Sequence, residues 1–529
     1  MCGIIGLFNA SQDVLARVPR AYHLQENRGR DAFGLVQEKN KSERNIFVTK
    51  NSSEFSQQLT LLSSSGASHV LLHHLHAIIG SVPQPLSGKG LLVYNGEIYN
   101  WKQLAQKNKI KARNDADVLF FLLEKIHTIN AAALNTLVTS LDGVFVFAYQ
   151  RENYVVVCRD RIGERPLAWH FNPSTGLFAF ASEGKTLASL GLQHQILEPR
   201  TILVYDTVQK QLKEWHQQFF HLPAPGIVRK TRDATTAASL TEQQLIKDIL
   251  ARLTEACRKR LADIDNIGIL FSGGLDSTIL ACLCKKLNKK FTCYTAGYCD
   301  GDMNLPKDVV WAKRVCEGLG FPLKITIIKT GALDSIFTQV ISIIESTDVV
   351  KIGVAAPFFV CAQMARKDGK RVMLSGLGAE ELFAGYERHA RVLSVQGPAG
   401  INSECLAGLY DLWQRDLYRD DLLMMHYSLE LRLPFLDHEL IDYALGIPGE
   451  FKIDTVQKKI ILRKVAIALG IPYDIASRKK QAAQYGSNFD KGIAKMAKRK
   501  EFSTKAAYLA SLSDTQMQHM RSTEIPGQT

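Results

Sequence analysis

IGILFSGGLDS, residues 267–277, is the stretch that decides the fold of the second half of this chain. Its first five residues are apolar or small and predict a short buried strand, and the apolar residues that follow at helical spacing predict a helix. The paired glycines Gly273 and Gly274 permit a sharp turn and a close approach of the backbone to a ligand. The start of the helix offers unpaired N–H groups to an anion. The stretch therefore predicts a phosphate-binding cradle.

The cradle is not the common P-loop, because GxxxxGK[ST] occurs nowhere in the chain. SGGLDS, residues 272–277, instead resembles the pyrophosphatase loop of the ATP-pyrophosphatases, enzymes that cleave ATP between its α- and β-phosphates. An ordinary glycine-containing turn is the alternative, and the whole hexapeptide between a strand and a helix favours the phosphate interpretation. A carboxylate beside a polyphosphate usually holds Mg²⁺, so Asp276 is predicted to be a magnesium ligand.

Strands and helices alternate after this loop. We predict strands at 291–298, 323–328 and 372–376, and helices at 308–319, 333–345 and 354–367. Such alternation is typical of a parallel, doubly wound α/β sheet. Ligands of these sheets bind at the carboxyl ends of the strands, and both 272–277 and 375–381 fall at such ends.

Length and composition limit the classes of protein. A chain of 529 residues predicts two or three domains. We find no apolar run near the length of a membrane span and no signal peptide in residues 1–10, so a cytoplasmic protein without a membrane partner is expected. The ten cysteines lack zinc-site spacing. The net charge of +13 comes without a basic cluster interleaved with aromatic residues, so no nucleic-acid partner is expected.

The N-terminus carries a second candidate site. Removal of Met1 would leave Cys2 with a thiol and a free α-amine, and an N-terminal nucleophile can use its own amine as general base. A chance cysteine would be the simpler explanation if Cys2 stood alone. It is followed, however, by six further short motifs: RGRDAFG at 28–34, YNGEIYN at 94–100, NDAD at 114–117, LDGVF at 141–145, RDRIG at 159–163 and FASE at 180–183.

Together with MCGIIG, these motifs look like the glutaminase domain of class II amidotransferases. The resemblance implies an α+β N-terminal-nucleophile (αββα) domain over residues 1–205. It also implies that the thiolate of Cys2 attacks the amide of glutamine and releases ammonia. By the same resemblance, Asn95 and Gly96 form the oxyanion hole, Asp115 binds the α-amino group of glutamine, and Glu97 contributes to glutamine binding.

Two positions depart from the amidotransferase pattern. An arginine of the family normally binds the carboxylate of glutamine, but the corresponding stretch here, residues 74–78, offers His76 or a neighbour. His76 could donate a hydrogen bond to a carboxylate, more weakly and with pH dependence. Arg30 replaces the proline of the usual RGPD. Neither departure touches the nucleophile.

SGLGAEELFAGY, residues 375–386, is the second diagnostic stretch of the later domain. It resembles the SGxGxDExFxGY element of the asparagine synthetase family. The resemblance implies that Ser375 and Gly376 contact the nucleotide and that Glu380 joins Asp276 as a ligand of Mg²⁺. A surface pair of glutamates at a helix start is the alternative, and it is disfavoured by two family elements in one sheet.

Further matches extend this resemblance to about residue 490. LELRLPFLD at 429–437 looks like the E-x-R-x-PFLD run of the family, and KIILR at 459–463 looks like its K-x-x-LR helix, in which Lys459 neutralises phosphate charge. RKKQ at 478–481 is a candidate for the mouth of the same site. The predicted ATP site comprises Leu270, Ser272, Gly273, Gly274, Asp276, Ser277, Ala296, Gly297, Ser375 and Gly376.

The resemblance implies a glutamine-hydrolysing, AMP-forming ligase that uses glutamine, aspartate and ATP with Mg²⁺. We predict an amidotransferase domain at 1–205, a linker at 206–245, an ATP-pyrophosphatase domain at 246–500 and a polar tail at 501–529. A homodimer is left open.

The acceptor pocket departs most from the family pattern. Leu377 stands where bacterial enzymes commonly carry glutamate, and Val350-Lys351-Ile352-Gly353 replaces their Thr-Thr-x-Arg. Lys351 could compensate. Loss of polar partners from such a pocket changes specificity by large factors. Three hypotheses stay open: asparagine synthesis, amidation or ring closure of another carboxylate, and a catalytically silent scaffold.

Overall fold

A computed structural model describes residues 2–39, 43–222, 241–479 and 481–522 of the chain. The chain divides into two compact units, Met1–Phe219 and Phe220–Thr529. The first unit contains two sheets and a set of short helices. The second contains one sheet and many helices.

Thirteen strands are described in the first unit: β1 (Gly3–Phe8), β2 (Ala32–Glu38), β3 (Arg44–Thr49), β4 (His69–Leu75), β5 (Leu86–Ser87), β6 (Leu91–Ile98), β7 (Gly143–Arg151), β8 (Tyr154–Arg159), β9 (Ala168–Asn172), β10 (Leu177–Ala181), β11 (Gln195–Ile196), β12 (Thr201–Asp206) and β13 (Gln211–His216). Its described helices are α1 (Gln12–Leu15), α2 (Val18–Leu24), α3 (Ser52–Thr60), α4 (Trp101–Asn108), α5 (Asp115–Glu124), α6 (Ala131–Ser140) and α7 (Gly184–Ser189).

The strands form a seven-stranded sheet, in the order β11-β9-β10-β1-β4-β2-β3, and a six-stranded sheet, in the order β13-β12-β8-β7-β6-β5. Apolar side chains of both sheets share one core, which includes Ile4, Phe8, Val93, Val146 and Phe180. A second core joins the larger sheet to α2, α3 and α7, and a third joins the smaller sheet to α4, α5 and α6. The predicted αββα class is therefore confirmed.

β1 is central to the larger sheet because it pairs with both β10 and β4. All six of its residues are buried, in keeping with the unbroken apolar and small composition of GIIGLF. A Cβ at Gly6 would lie 2.1 Å from the ring of Phe180, so a glycine is needed for this ring to cross the strand. The packing fixes the strand that carries Cys2 at its start.

The second unit alternates strands with helices: α8 (Glu242–Leu261), β14 (Asn266–Leu270), α9 (Leu275–Lys286), β15 (Lys290–Tyr298), α10 (Lys307–Leu319), β16 (Leu323–Ile328), α11 (Leu333–Ile344), α12 (Val349–Lys367), β17 (Val372–Leu374), α13 (Ala379–Leu382), α14 (Glu387–Gln396), α15 (Ile401–Leu412), α16 (Tyr418–His426), β18 (Glu430–Arg432), α17 (His438–Leu445), α18 (Ile460–Ala468), α19 (Tyr473–Ala476), α20 (Ala483–Gly486), α21 (Phe489–Arg499) and α22 (Lys505–Ser522). A π-helical turn, Trp413–Leu417, joins α15 to α16.

The sheet of this unit has the order β16-β15-β14-β17-β18, and all its pairings are parallel. β14 lies at the centre, so the SGGLDS loop leaves the middle of the sheet. The chain runs outward on both sides of β14, which confirms the predicted doubly wound sheet. The loops after β14 and β17 therefore meet at one edge, because these neighbouring strands end there together.

Several boundaries differ from the predicted ones. β13 lies within the predicted linker 206–245; it is a polar edge strand paired only with β12, so its sequence lacked a buried-strand pattern. Residues 223–240 of that linker lie outside the described residues. α12 begins at Val349 rather than at 354, because Asp348 caps its N-terminus through the Lys351 N–H at 2.7 Å. The predicted tail contains α22, whose Tyr508 is buried beside Phe337.

α12 also corrects the expectation that no segment approaches the length of a membrane span. Within the described part of the chain it is long and apolar enough to cross a membrane by length and composition alone. It packs against α11, α16 and α21, and it contributes residues to a cavity of the unit. These contacts account for its apolar composition as a core helix of the α/β unit.

The buried histidine of β4 predicts acid sensitivity of the first unit. Burial lowers the pKa of His73 from 6.5 to about 3. The unfolded chain therefore binds a proton below pH 6.5 that the folded unit excludes, so stability is complete above pH 6.5 and is lost as the pH falls towards 3. We expect His73→Gln to reduce the pH dependence of the opening free energy of β4 by about 1.4 kcal/mol per pH unit between pH 6 and pH 5. Hydrogen exchange of β4 amides, followed as a function of pH, measures this opening free energy.

The exposed His127→Gln variant is the matched control and should keep the wild-type dependence on pH. An unchanged pH dependence in His73→Gln would show that the folded unit does not exclude a proton from His73.

Candidate active sites

The candidate nucleophile of the first unit is held by the predicted oxyanion residue. The backbone N–H of Cys2 donates to Oδ1 of Asn95 at 2.8 Å, so residue 2 and β6 meet as predicted. Nδ2 of Asn95 is buried, and no described residue accepts a hydrogen bond from it. A buried donor of this kind is available to a developing oxyanion. A Cβ at Gly96 would lie 2.4 Å from the carbonyl oxygen of Val144, so only glycine allows β7 to pack this closely.

Two of the short motifs fix the backbone on either side of Cys2. Arg28 of RGRDAFG donates through Nε to the carbonyl of Cys2 at 3.2 Å and pairs with buried Glu183 of FASE at 3.1 Å. The N–H of Ile4 donates to the hydroxyl of Ser182 at 3.0 Å. Burial opposes ionisation of Glu183, but Lys185 and Arg28 hold its pKa below the usual value. Buried ion pairs thus set the position of the chain's first residues.

The stretch that replaces the family's arginine lies beside the thiol. Leu75 and Ala77 pack against Cys2. Asp31 holds this stretch in place, since its carboxylate accepts from the N–H of Ala77 at 2.7 Å and its own N–H donates to Leu75 at 2.9 Å. His76 is buried between these two residues. Its role in binding the carboxylate of glutamine stays a prediction.

The other predicted glutamine-binding residues follow on β6 and α5. Asp115 begins α5, and its Oδ2 accepts from the hydroxyl of Tyr94 at 2.7 Å and from the N–H of Ile98 at 3.0 Å. Burial, aided by the nearby charge of Asp115, raises the pKa of Tyr94, so Tyr94 remains a donor. Glu97 is buried on the same strand. These bonds give Asp115 a structural role at the helix start, in addition to the ligand contact predicted from the sequence.

The second unit contains a cavity of about 560 Å³ at the carboxyl edge of its sheet. Eight of the ten predicted ATP-site residues line it: Leu270, Ser272, Gly274, Asp276, Ser277, Ala296, Ser375 and Gly376. The predicted Glu380 and Lys459 line it as well, as do Arg478, Lys479 and Gln481 from the predicted mouth. One cavity thus gathers residues from distant stretches of the sequence.

Gly273 and Gly297 are not among the lining residues, and their contact with ATP stays a prediction. Gly273 has φ +64°, and a Cβ there would lie 2.6 Å from the backbone of Trp311. A Cβ at Gly297 would lie 2.6 Å from Pro306. Both glycines permit close packing against these neighbours.

Lys459 forms the electrostatic centre of the cavity. Its Nζ lies 2.8 and 2.7 Å from the two carboxylate oxygens of Asp276 and 2.7 Å from Oε1 of Glu380. All three side chains are largely buried, so the single ammonium offsets two carboxylates that would otherwise repel each other. Lys459 precedes α18 with φ +57°, a left-handed conformation that is uncommon outside glycine. We call these three residues the ion cluster.

The ion cluster fits the predicted magnesium site. Asp276 and Glu380 both contact the ammonium of Lys459, so the two carboxylates face one point of the cavity. Mg²⁺ in such sites typically takes one or two protein carboxylates and completes its shell with water and substrate phosphate. The described residues contain no group of three or more acidic, histidine or cysteine side chains placed to hold a metal. The donor set therefore suits a metal that arrives with phosphate ligands.

Two arginines brace the loops around the ion cluster. Arg478 donates through Nη1 to the carbonyl of Ser272 at 2.7 Å and pairs through Nη2 with Asp308 at 2.8 Å. Arg463 donates to the carbonyls of Lys458 at 2.8 Å and Arg478 at 3.0 Å. These bonds tie the SGGLDS turn to the segment around α18 and α19.

Three of the positions that depart from the family pattern line the cavity: Leu377, Val350 and Lys351. Gly353 is buried in α12, and a Cβ there would lie 2.9 Å from Gln484, so this glycine makes room for a neighbouring side chain. Lys351 donates through Nζ to the carbonyl of residue 414 at 3.0 Å. The lysine therefore reaches the π-helical turn, whose charged residues also line the cavity.

Comparison with protein families agrees with both sites. The family model described as asparagine synthase matches residues 248–400 and 394–519, and that described as glutamine amidotransferase domain matches residues 62–241. A Methanocaldococcus jannaschii relative, provisionally named asparagine synthetase (glutamine-hydrolyzing) 1, is 31% identical over 96% of this chain and 97% of its own. The chain belongs to the asparagine synthase family.

Eukaryotic relatives match along much of the chain too. A Schizosaccharomyces pombe protein, also provisionally named asparagine synthetase (glutamine-hydrolyzing), is 28% identical over 92% of this chain and 85% of its own. The Gallus gallus asparagine synthetase (glutamine-hydrolyzing) is 27% identical over 77% of this chain and 73% of its own. The family expected from SGGLDS and SGLGAEELFAGY is confirmed.

Sequence reasoning missed several residues that shape the asparagine synthase sites. Arg28, Ser182 and Glu183 lay in quoted motifs, but nothing in the sequence showed that they anchor Cys2. Gly385 was quoted without a role. A Cβ there would lie 1.5 Å from Oε2 of Glu380 and 2.5 Å from Cε of Lys459, so the ion cluster needs a glycine at this position.

We predict that Gly385→Ala disrupts the ion cluster. The added methyl group must push Glu380 and Lys459 apart inside a packed site, which costs about 1–3 kcal/mol of stability. We expect a lower melting temperature and at least tenfold weaker MgATP binding by calorimetry.

Gly318→Ala is the matched control, because Gly318 lies in α10 and a Cβ there would meet nothing within 4 Å. It should keep MgATP affinity and be more stable by up to about 1 kcal/mol. Unchanged MgATP affinity in Gly385→Ala would contradict the importance of this contact.

Proposed function

We propose that this protein makes asparagine from aspartate, with glutamine as nitrogen donor and ATP as energy source. The observation that carries the proposal is that one chain of the asparagine synthase family holds both an anchored Cys2 beside Asn95 and a buried cation–carboxylate cluster behind an SGGLDS loop. ATP use is implied by the family. The role of each residue below, and Mg²⁺ as the metal, belong to the proposal.

Glutamine is hydrolysed in the first unit. The α-amine of Cys2, freed by removal of Met1, accepts the thiol proton, and the thiolate attacks the amide carbon of glutamine. Nδ2 of Asn95 and the N–H of Gly96 stabilise the resulting oxyanion. Ammonia leaves, and water hydrolyses the thioester to glutamate. His76, Glu97 and Asp115 bind the glutamine.

Aspartate is activated in the second unit. The SGGLDS turn and Ser375 bind the phosphates of ATP, and the β-carboxylate of aspartate attacks the α-phosphorus. A P–O bond forms and pyrophosphate leaves. Mg²⁺ held by Asp276 and Glu380 would supply charge neutralisation at the phosphate oxygens. Lys459 turns its ammonium towards the charge that develops on pyrophosphate. Ammonia then attacks the acyl carbon, and AMP leaves.

Two alternatives follow from the departures in the cavity. Leu377 and Val350 favour an acceptor other than aspartate, because they remove polar partners from the pocket. A silent scaffold is disfavoured, since it has no physical need for a buried Lys459 between two carboxylates. A cytoplasmic location is in keeping with ten free cysteines, all within the described residues. A homodimer stays a prediction.

We predict that purified protein incubated with glutamine, aspartate and MgATP yields asparagine, glutamate, AMP and pyrophosphate. Cys2→Ala should abolish the glutamine-dependent reaction and leave the ammonia-dependent one, because the thiol serves only glutamine hydrolysis. Chromatography of the amino acids and nucleotides measures both.

Cys282→Ala is the control for loss of a thiol. Cys282 is a half-buried residue of α9 outside the proposed machinery, so this variant should keep glutamine-dependent synthesis. AMP formed only with another carboxylate would show that the acceptor is not aspartate. Absence of both glutaminase activity and nucleotide binding would support the hypothesis of a catalytically silent scaffold.

We predict that Lys459→Met lowers the rate of AMP formation by about 10²–10³-fold, because it removes a fixed cation from the site of phosphate charge. Glutamine hydrolysis should be unaffected. Lys464→Met is the matched control on α18, since Lys464 is partly exposed and pairs with Glu242. An AMP rate in Lys459→Met within threefold of wild type would exclude the proposed role.

A further inference from the structure

The lining of the cavity includes four charged residues in close succession. Arg415 and Asp416 belong to the π-helical turn, and Arg419 and Asp420 follow in the first turn of α16. All four line the cavity together with Leu377 and Val350. Neither family motif quoted from the sequence includes them.

Asp416 is fully engaged by the two arginines. Its Oδ2 accepts from Nε of Arg415 at 2.8 Å, and its Oδ1 pairs with Nη1 of Arg419 at 3.0 Å. Arg415 also pairs with buried Glu381. Asp416 therefore serves to orient the arginines.

Asp420 is different. Its Oδ1 accepts from Nε of Arg419 at 2.7 Å, but no described residue donates to its Oδ2, which is buried. The residue is only 1% exposed. A buried carboxylate oxygen without a donor is costly, and such atoms in native proteins usually have a partner that the bare chain does not supply.

A ligand that satisfies Oδ2 of Asp420 must bring a hydrogen-bond donor, and a cation suits the carboxylate best. Burial raises the pKa of Asp420 to about 6, so it is mostly ionised at neutral pH. The neighbouring positions Leu377 and Val350 offer no charge to an amino-acid acceptor. Arg415, whose side chain is one-third exposed, lines the same cavity.

We propose that Asp420 binds the α-ammonium group of the acceptor amino acid and so makes the site selective for amino acids over plain dicarboxylic acids. This inference rests on the proposed function, because it assigns a recognition group to the acceptor of that reaction. Arg415 supplies positive charge for the α-carboxylate in the same cavity. The charged turn thereby replaces polar groups that the family pattern has elsewhere in the pocket.

The test compares aspartate with succinate, which is aspartate without its amino group, as acceptors in pyrophosphate release driven by ammonia and MgATP. We expect wild type to prefer aspartate by about 10³-fold or more in kcat/KM, as sites built to bond a polar group reject analogues that lack it. Asp420→Asn should lower kcat/KM for aspartate by about 10²-fold and leave that for succinate unchanged. The preference for aspartate over succinate should therefore fall by about 10²-fold.

Asp416→Asn is the matched control, because both oxygens of Asp416 are engaged by arginines. It should lower kcat/KM for aspartate and succinate alike and keep their ratio. Circular dichroism and glutamine hydrolysis check that each variant folds, and Asp420→Ser replaces Asp420→Asn if the latter does not.

The outcomes separate the inference from the proposed function. If wild type makes asparagine but the Asp420 variant keeps the wild-type ratio, the inference is wrong and the function stands. If wild type makes no asparagine, the proposed function is wrong, and the same pair of acids is compared by calorimetric binding in the presence of MgATP. Equal binding of aspartate and succinate by wild type there would overturn the inference; loss of a wild-type preference in the variant would support it.

Discussion

The contact of one buried ammonium with two carboxylates is the constraint around which the second unit is built. Lys459, Asp276 and Glu380 come from three separate elements, and none of them could be buried alone without a large desolvation penalty. The parallel sheet brings the ends of β14 and β17 to one edge, and Gly385 leaves space for Glu380 and Lys459. Lys459 itself has a left-handed backbone conformation at the start of α18. The resulting cluster is complete without ligand and is suited to meet phosphate charge.

In the first unit, the corresponding constraint is the position of Cys2 at the start of the chain. A terminal residue is usually poorly ordered unless it is tied down, yet a nucleophile must be held within a fraction of an ångström. Cys2 is held through its N–H by Asn95 and through its carbonyl by Arg28, and Arg28 is fixed by buried Glu183. Residues of three short motifs, YNGEIYN, RGRDAFG and FASE, thus hold Cys2 in place.

The two-unit architecture could be predicted from the sequence, because the glycine turns and the strand–helix alternation are local signals; eight of the ten residues predicted for ATP binding line one cavity. Features that depend on tertiary packing could not be predicted from the sequence. The close packing at Gly273 and Gly297 could not be foreseen, and β13 is predicted as part of a linker because it is a polar edge strand. The sequence gives no sign that Asp420 is buried. Charged residues in a helix usually predict a solvent-exposed face, and only the tertiary structure shows that this residue is enclosed.

The central claim is that aspartate is activated as an acyl adenylate and then receives nitrogen from glutamine. Synthesis with aspartate labelled by ¹⁸O in its β-carboxylate, followed by mass spectrometry of the products, tests it most directly. Attack on the α-phosphorus leaves one aspartate oxygen on the phosphate that becomes AMP, so the account predicts AMP with one ¹⁸O atom and unlabelled pyrophosphate. Unlabelled AMP, or label in phosphate or pyrophosphate, would contradict it.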